Sequence, residues 1–199
     1  MPEGSPVNIG DLLDRPSLAE RRVLGMQTKL HQWSAADPGR RFDDVFNLVA
    51  DPAFLVMAWT RVRENKGSRT AGVDWRTAQS IELSAAGVAG FLEQLRADIK
   101  ARSFAPVPVR SVMIPKVGGK KRRLGIPTVR DRVVQAALKL VLEPILETDF
   151  HPCSYGFRPE RRCQDAIEEI RYLAARSYEW VFEGDIAACL EAWSHCSSR

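Results

Sequence analysis

The sequence predicts an α+β fold in which packed helices are combined with one antiparallel β-hairpin. Two short apolar runs, 112–114 and 124–126, flank the pair Gly118-Gly119, and adjacent glycines permit the positive φ angles of a tight reversal. Elsewhere, apolar residues recur at helical spacing, as between Val88 and Ile99. The aromatic and β-branched residues that begin at Trp180 predict a further strand near the C-terminal end.

The first hundred residues are predicted to be helical after a flexible start. Residues 1–40 contain Pro, Gly and Ser with weak periodicity, which predicts a flexible leader with a short helix between Ser17 and Trp33. Residues 41–103 are expected to form a helical extension with a loop. Asp51-Pro52 predicts a helix start, since Asp caps helices and proline suits the first helical position. Glycines and polar residues at 65–74 indicate a structured loop.

A third helix is predicted over 88–102, before Pro106 and Pro108 lead into the hairpin. Thr128 with Asp131 three residues later resembles a capping box and predicts the start of another helix. Pro144 is expected to kink or close that helix. Its predicted buried face consists of Val134, Ala137, Leu138, Val141 and Ile145.

The last fifty residues are predicted to hold a loop, a helix and a strand. Residues 154–159 form the loop, and Pro159 can open the helix. The segment from Trp180 to Cys189 is predicted to be a strand that brings Asp185 to its end. The helix is expected to bury its apolar side chains, namely Cys163, Ala166, Ile167, Ile170 and Leu173.

Composition excludes several classes of protein. With 45% hydrophobic residues in 199, the chain can bury a core and is not expected to be disordered. No apolar run reaches the roughly 20 residues of a membrane span, and no secretory signal is visible. The four cysteines form no C-x-x-C pair, so we expect buried or free thiols in a reducing cytoplasm, and no zinc site. We predict a cytoplasmic protein.

Positive charge is concentrated in one stretch. Residues 100–132 contain ten Lys or Arg and one acid, Asp131, whereas the whole chain carries a net charge of +4. The remainder is therefore net acidic. A focused basic region is typical of proteins that bind nucleic acids or nucleotides.

The tip of the predicted hairpin carries the densest positive charge. Its five cations have no acid among them, and like charges on one short hairpin repel one another unless an anion lies nearby. Phosphate is the expected partner. The alternative is a solvated basic turn that protects an edge strand from aggregation. The cations are Lys116, Lys120, Lys121, Arg122 and Arg123.

Several motifs occur together in an order that resembles one known family. The chain is similar, over about residues 40–189, to the N-terminal third to half of a bacterial group II intron-encoded reverse transcriptase and maturase. The motifs are Asn-Lys-Gly-Ser…Gly-Val-Asp at 65–74, Pro-Val-Arg…Ile-Pro-Lys…Gly-Gly-Lys-Lys-Arg-Arg-Leu-Gly-Ile-Pro-Thr-Val-Arg-Asp-Arg-Val-Val-Gln at 108–135, Ser-Tyr-Gly-Phe-Arg at 154–158 and Gly-Asp-Ile at 184–186.

The resemblance implies roles for individual cations. Residues 104–178 would form the fingers of a right-hand polymerase, whose basic hairpin closes over the incoming nucleotide. Lys116 and Arg122 would grip the triphosphate, and Arg110 would line the nucleotide or template side. The general RNA-binding cations would be Lys120, Lys121, Arg123, Lys66 and Arg158.

The resemblance also implies a partial catalytic site at the start of the palm, over residues 179–199. Asp185 would be the first catalytic aspartate and a ligand of Mg²⁺, and Ile186 would offer its backbone carbonyl to the nucleotide. Two-metal catalysis needs further carboxylates. Leu190 and Glu191 stand where the family has Phe and Asp, and no aromatic-Ala-Asp-Asp box follows. We therefore expect a degenerate C-terminal tail and a truncated, catalytically incomplete form.

The function implied is RNA-directed DNA synthesis by a group II intron protein that assists splicing and mobility. The expected partners are intron RNA or an RNA template-primer, together with deoxynucleoside triphosphates, and no membrane. Two alternatives remain at this point. One is a non-catalytic RNA-binding module, and the other is a decayed fragment that folds poorly without its palm.

Overall fold

The structure is a computed structural model that describes residues 8–115, 118–119, 121–178 and 180–184. These residues belong to two compact units, which divide after Phe150. The first unit contains the helices α1 (Ile9–Asp14), α2 (Pro16–Ala36), α3 (Val45–Val49), α4 (Pro52–Glu64), α5 (Ala78–Glu82), α6 (Gly87–Lys100) and α7 (Val129–Leu146), a 3₁₀ turn (Lys66–Arg69), and the strands β1 (Arg110–Pro115) and β2 (Lys121–Ile126). The second unit contains α8 (Cys163–Ala174).

Helix α4 lies at the centre of the first unit. It contacts α1, α2, α6 and α7, and Phe54, Leu55 and Trp59 are almost completely buried. Burying one such side chain stabilises the fold by about 1.5–3 kcal/mol. The carboxylate of Asp51 accepts a hydrogen bond from the backbone N–H of Ala53 at 2.8 Å, ahead of Pro52. The predicted helix start is therefore confirmed.

The predicted helix between Ser17 and Trp33 is confirmed as α2, whereas the described residues around it do not form the predicted flexible leader. Residues 9–36 form α1 and α2, and α2 packs against α4 and α7 through Ala19, Val23 and Leu30. The side-chain amide of Gln27 also donates to the carbonyl of Leu140 at 2.8 Å. Three charged residues, Glu20, Arg21 and Arg22, separate Ala19 from Val23, and a mixed run of apolar, small and polar residues separates Val23 from Leu30. The periodicity of the sequence is therefore weak although the helix is well anchored.

Helix α7 begins at the predicted cap. The hydroxyl of Thr128 accepts from the backbone N–H of Asp131 at 3.1 Å and donates to its carboxylate at 2.7 Å. The helix continues through Pro144 to Leu146, so the proline does not end it there. Its buried face includes Val134, Ala137 and Val141 as predicted, whereas Leu138 is 41% exposed and Leu140 is buried in its place.

The hairpin is confirmed. Strands β1 and β2 pair antiparallel, with Arg110 opposite Ile126 and Ile114 opposite Arg122. Gly118 and Gly119 have φ angles of 86° and 78°, which glycine adopts without steric cost.

The second unit departs from two expectations. None of the α8 residues is buried, so the predicted burial of Cys163, Ile167 and its other apolar side chains is wrong. The described part of this unit holds no second helix or strand against which α8 could pack. Residues 180–184 form no strand, since no neighbouring strand in that part offers backbone partners.

The structure also gives the state of two cysteines and the character of the helices. Cys153 and Cys163 are free and exposed, while Cys189 and Cys196 lie outside the described residues. None of the helices in the described ranges is both long enough and apolar enough to cross a lipid bilayer.

Candidate nucleic-acid interface

One loop of the first unit is fastened by a single arginine. We call residues 65–76 the docked loop. Arg132, on the first turn of α7, donates from Nη1 to the carbonyl of Gly67 at 2.6 Å and from Nη2 to the carbonyl of Thr70 at 2.5 Å. Its Nε also lies 3.4 Å from the carbonyl of Thr128. Hydrogen bonds from a charged donor are stronger than neutral ones, so Arg132 fixes the backbone of this loop.

Close backbone contact holds the same loop from a second side. A Cβ atom on Gly72 would lie 2.7 Å from the Cα and 2.8 Å from the backbone nitrogen of Thr128. Real Cβ atoms do not approach backbone so closely. Glycine is therefore required where the docked loop crosses the start of α7.

Arg110, at the start of β1, connects the hairpin to the docked loop. Its Nε donates to the carbonyl of Ala71 at 2.9 Å, and its guanidinium carbon lies 5.3 Å from the centre of the Trp75 ring. The family resemblance implies that Arg110 lines the nucleotide or template side, and that role stays a prediction. In the structure the side chain fastens the loop.

Burial affects the pKa of Arg132. Desolvation lowers the pKa of its guanidinium, and the carboxylate of Asp74 raises the pKa in opposition. Because the ordinary pKa of arginine lies so far above neutrality, the group remains charged. The loop is thus held by a cation that donates to backbone carbonyls, and the nearby Asp74 of the loop favours its charged form.

Two more arginines of the basic stretch have partners in the first unit. Arg130 forms an ion pair with Asp98 at 2.7 Å and lies over the ring of Phe104. Arg102 lies over the ring of Phe46, with its guanidinium carbon 5.5 Å from the ring centre. Together with Arg110 and Arg132, these residues use their charge within the fold.

The cations of the hairpin tip are arranged differently. We call Lys121, Arg122 and Arg123 the basic tip. All three are exposed and make no hydrogen bond or ion pair with any side chain or loop carbonyl in the described part of the chain. In the register Arg122 lies opposite Ile114, and Arg123 lies opposite Met113. Consecutive residues of a strand point to opposite faces, so the two arginines serve different sides of the hairpin.

The remaining predicted site residues are scattered or not described. Lys116, Lys120, Asp185 and Ile186 lie outside the described residues, and their roles stay predictions. Lys66 is exposed in the 3₁₀ turn of the docked loop. In the second unit, Arg158 donates to the carbonyls of His151 and Ser154 at 2.9 and 2.8 Å.

Metal binding finds no support among the residues that the structure describes. They contain no group of three or more His, Cys, Asp or Glu that could hold a metal ion. The predicted Mg²⁺ ligand, Asp185, is not among them.

Sequence reasoning missed two features of this region. Arg132 was one of ten basic residues, and nothing local indicates that it reaches a loop more than sixty positions earlier. Trp75 follows a glycine-rich, polar run, and the residue is 75% exposed. The signal that could have marked Trp75 is a large aromatic residue within a loop of small and polar ones.

Known proteins similar to this chain include an intron-encoded protein and an intron maturase. Protein YkfC of Escherichia coli (strain K12) is 39% identical over 87% of this chain and 46% of its own length. The group II intron-encoded protein LtrA of Lactococcus lactis is 32% identical over 77% of this chain and 25% of its own length. Nuclear intron maturase 1 of Arabidopsis thaliana, a mitochondrial protein, is 40% identical over 37% of this chain and 10% of its own length.

The chain spans less than half the length of these curated relatives. No family model matches the chain.

Proposed function

We propose, from the homology of this chain to group II intron-encoded proteins over about three quarters of its length, that it binds intron RNA through the basic tip. The single observation that carries the proposal is the contrast within the basic stretch. Four arginines are held by partners inside the fold, whereas Lys121, Arg122 and Arg123 are exposed together on one hairpin.

Electrostatics explains why RNA suits this surface. Three adjacent cations raise the local potential and attract a polyanion, while the fold supplies no described acid to neutralise them. Each phosphate that a Lys or Arg neutralises releases a bound counterion, so affinity falls as salt rises. The basic tip therefore favours binding that depends on phosphates and little on base sequence.

A finer function follows from the resemblance. We propose that Arg122, with Lys116 and Arg110, contacts the triphosphate of an incoming deoxynucleotide, and that Asp185 binds Mg²⁺ with Ile186 beside it. Arginine presents a planar fork that matches phosphate oxygens. The complete activity would be RNA-directed DNA synthesis in support of intron splicing and mobility. These 199 residues contain one of the expected catalytic aspartates, so we expect no primer extension from them alone.

Salt dependence of RNA binding tests the proposal. The three residues of the basic tip, Lys121, Arg122 and Arg123, are replaced together by glutamine, and affinity for a structured intron RNA is measured between 50 and 300 mM salt. The log–log slope should become shallower by about two to three, because each lost phosphate contact contributes roughly 0.7–0.9. A matched control replaces Arg15, Arg21 and Lys29, three exposed cations of the α1–α2 region, and should leave the slope nearly unchanged.

Equal changes in the two triple variants would show that net charge matters and the basic tip does not. A primer-extension assay with Mg²⁺ accompanies the binding measurement. Template-dependent incorporation that disappears in Asp185→Ala would contradict the expectation of an incomplete active site.

A further inference from the structure

Trp75 is unusual in both its backbone and its exposure. Its φ angle is 57°, in the left-handed region, and the residue is 75% exposed. Bulky residues rarely adopt positive φ, because Cβ then lies close to the following carbonyl oxygen. Glycine is the residue that suits such a position. The chain therefore holds a large apolar ring in solvent on a backbone that disfavours it.

The surrounding hydrogen bonds impose this backbone. The carboxylate of Asp74 accepts from the backbone N–H of Arg76 at 3.2 Å, and the N–H of Trp75 itself donates to the carbonyl of Gly72 at 3.4 Å. Arg132 fastens the preceding part of the docked loop through Gly67 and Thr70. The backbone at Trp75 is thus held on both sides of the residue.

The Trp75 ring contributes little to the core, but the side chain of Arg110 packs against it. The guanidinium of Arg110 lies over the Trp75 ring, and its Nε is fixed by the carbonyl of Ala71. Because one face carries Arg110 while three quarters of the residue is exposed, the other face is open to solvent. A guanidinium over an indole is a favourable cation–π contact, and it also orients the ring.

The charge around the ring selects the class of ligand. Lys66, Arg69 and Arg76 are exposed on the same docked loop. A purely apolar partner would gain nothing from these cations, whereas a nucleic-acid strand offers phosphates to them and bases to the ring. Base stacking on aromatic side chains is the usual way in which proteins hold unpaired nucleotides.

We propose that Trp75 is a stacking site for an unpaired RNA base, with the neighbouring cations of the docked loop contacting the flanking phosphates. This inference rests on the proposed RNA-binding function and adds a second contact point to it. Stacking tolerates any base because every base has a π face. The site therefore recognises single-stranded character and not sequence.

Two substitutions separate the ring from the backbone. Trp75→Gly removes the ring and relieves the positive φ, so this variant should fold at least as well as the natural chain. Trp75→Phe keeps an aromatic surface. Leu83→Ala is the matched control, since Leu83 is 79% exposed but lies outside the docked loop.

Binding is measured with a twelve-nucleotide oligouridylate and with an abasic oligonucleotide of the same length. Trp75→Gly should weaken binding of the oligouridylate by roughly five- to a hundredfold, the range typical of losing one stacked base. Trp75→Phe should retain most of the affinity, and Leu83→Ala should bind normally. The abasic strand should bind the natural chain and Trp75→Gly equally, and the oligouridylate should quench a part of the tryptophan fluorescence that Trp75→Phe lacks.

Each result decides between clear alternatives. Unchanged oligouridylate affinity in Trp75→Gly, or equal losses for the abasic strand, would overturn the stacking site while leaving RNA binding by the basic tip intact. Absence of binding to any RNA by the natural chain would overturn both proposals. A loss of affinity in Trp75→Gly accompanied by a lower melting temperature would also count against the inference, because it would make the ring a structural element.

Discussion

The arginines that hold the docked loop and the cations of the basic tip come from the same basic stretch, residues 100–132, yet the fold uses them in opposite ways. At the docked loop, Arg132 and Arg110 turn inward onto the carbonyls of Gly67, Thr70 and Ala71. At the basic tip, Lys121, Arg122 and Arg123 are exposed, with no ion pair to the described residues. Charge density in a sequence therefore indicates that an anion could bind, but only the partners of each cation indicate where.

The contrast predicts that removing one cation affects stability at the docked loop and affects binding at the basic tip. Arginine charges that are satisfied by carbonyls support the fold, since their removal leaves partly buried acceptors without donors. Exposed charges on a strand tip contribute little to folding. The substitutions below test this separation, and they begin with the largest expected effect.

Arg132→Ala should destabilise the first unit by about 2–4 kcal/mol, because two charge-assisted hydrogen bonds are lost and two carbonyls lose their donor. Urea unfolding at a constant m value measures this change. Arg132→Lys should recover only part of the loss, since an ammonium cannot reproduce the two-pronged geometry of a guanidinium. A change below about 0.5 kcal/mol for Arg132→Ala would show that the loop is held by other contacts.

Gly72→Ala should have the next largest effect, a destabilisation of about 1–3 kcal/mol, because the added Cβ would overlap the backbone of Thr128. Gly25→Ala is the control. Gly25 lies within α2 with no atom near its added Cβ, so alanine should stabilise the helix by roughly 0.5–1 kcal/mol. Thermal melting of the two variants should therefore shift in opposite directions. Shifts in the same direction would argue against a tight contact between the docked loop and α7.

Thr128→Ala should cost about 1–2 kcal/mol, since losing a helix cap typically costs about 1 kcal/mol and at most about 2. Here the hydroxyl also donates to the buried carboxylate of Asp131, so the cost should lie at the upper end of the usual range. Thr28→Ala serves as the control, because the hydroxyl of Thr28 is exposed and bonds only to the preceding turn of α2. Equal losses in the free energy of unfolding for the two variants would show that the Thr128 cap does not help to fix the start of α7, against which the docked loop packs.

Local sequence patterns predicted those elements whose signals lie within a few residues. Asp51-Pro52, Thr128 with Asp131, and Gly118-Gly119 each give a start or a turn that the structure confirms. The attachment of the docked loop was not predictable in this way. Arg132 and Gly67 are 65 positions apart, and no periodic pattern indicates which of ten cations will turn inward.

In the second unit the sequence led to a prediction that the structure contradicts. The apolar stripe of α8 correctly predicted a helix, but burial was inferred from the stripe alone. Periodicity indicates that one face of a helix is apolar, whereas burial requires an element that covers it. The described part of that unit supplies none. For the predicted catalytic aspartate, Asp185, and the predicted nucleotide contact, Ile186, the family motif remains the whole basis of the prediction.

The smallest effects on stability are expected at the basic tip. Such effects would separate its exposed cations, which we propose bind RNA, from the arginines that support the fold. Arg122→Ala and Arg123→Ala should each change the free energy of unfolding by less than about 0.5 kcal/mol, as is usual for exposed surface positions. Each should nevertheless make the salt dependence of RNA binding shallower, by roughly 0.7–0.9 in the log–log slope if that arginine contacts a phosphate. The two arginines lie on opposite faces of the hairpin, so one RNA strand that passes along a single face should contact only one of them. A slope change confined to one variant would identify that face, and equal changes would indicate that RNA surrounds the tip. Destabilisation above 1 kcal/mol in either variant would mean that the tip, like the docked loop, uses its charge for folding.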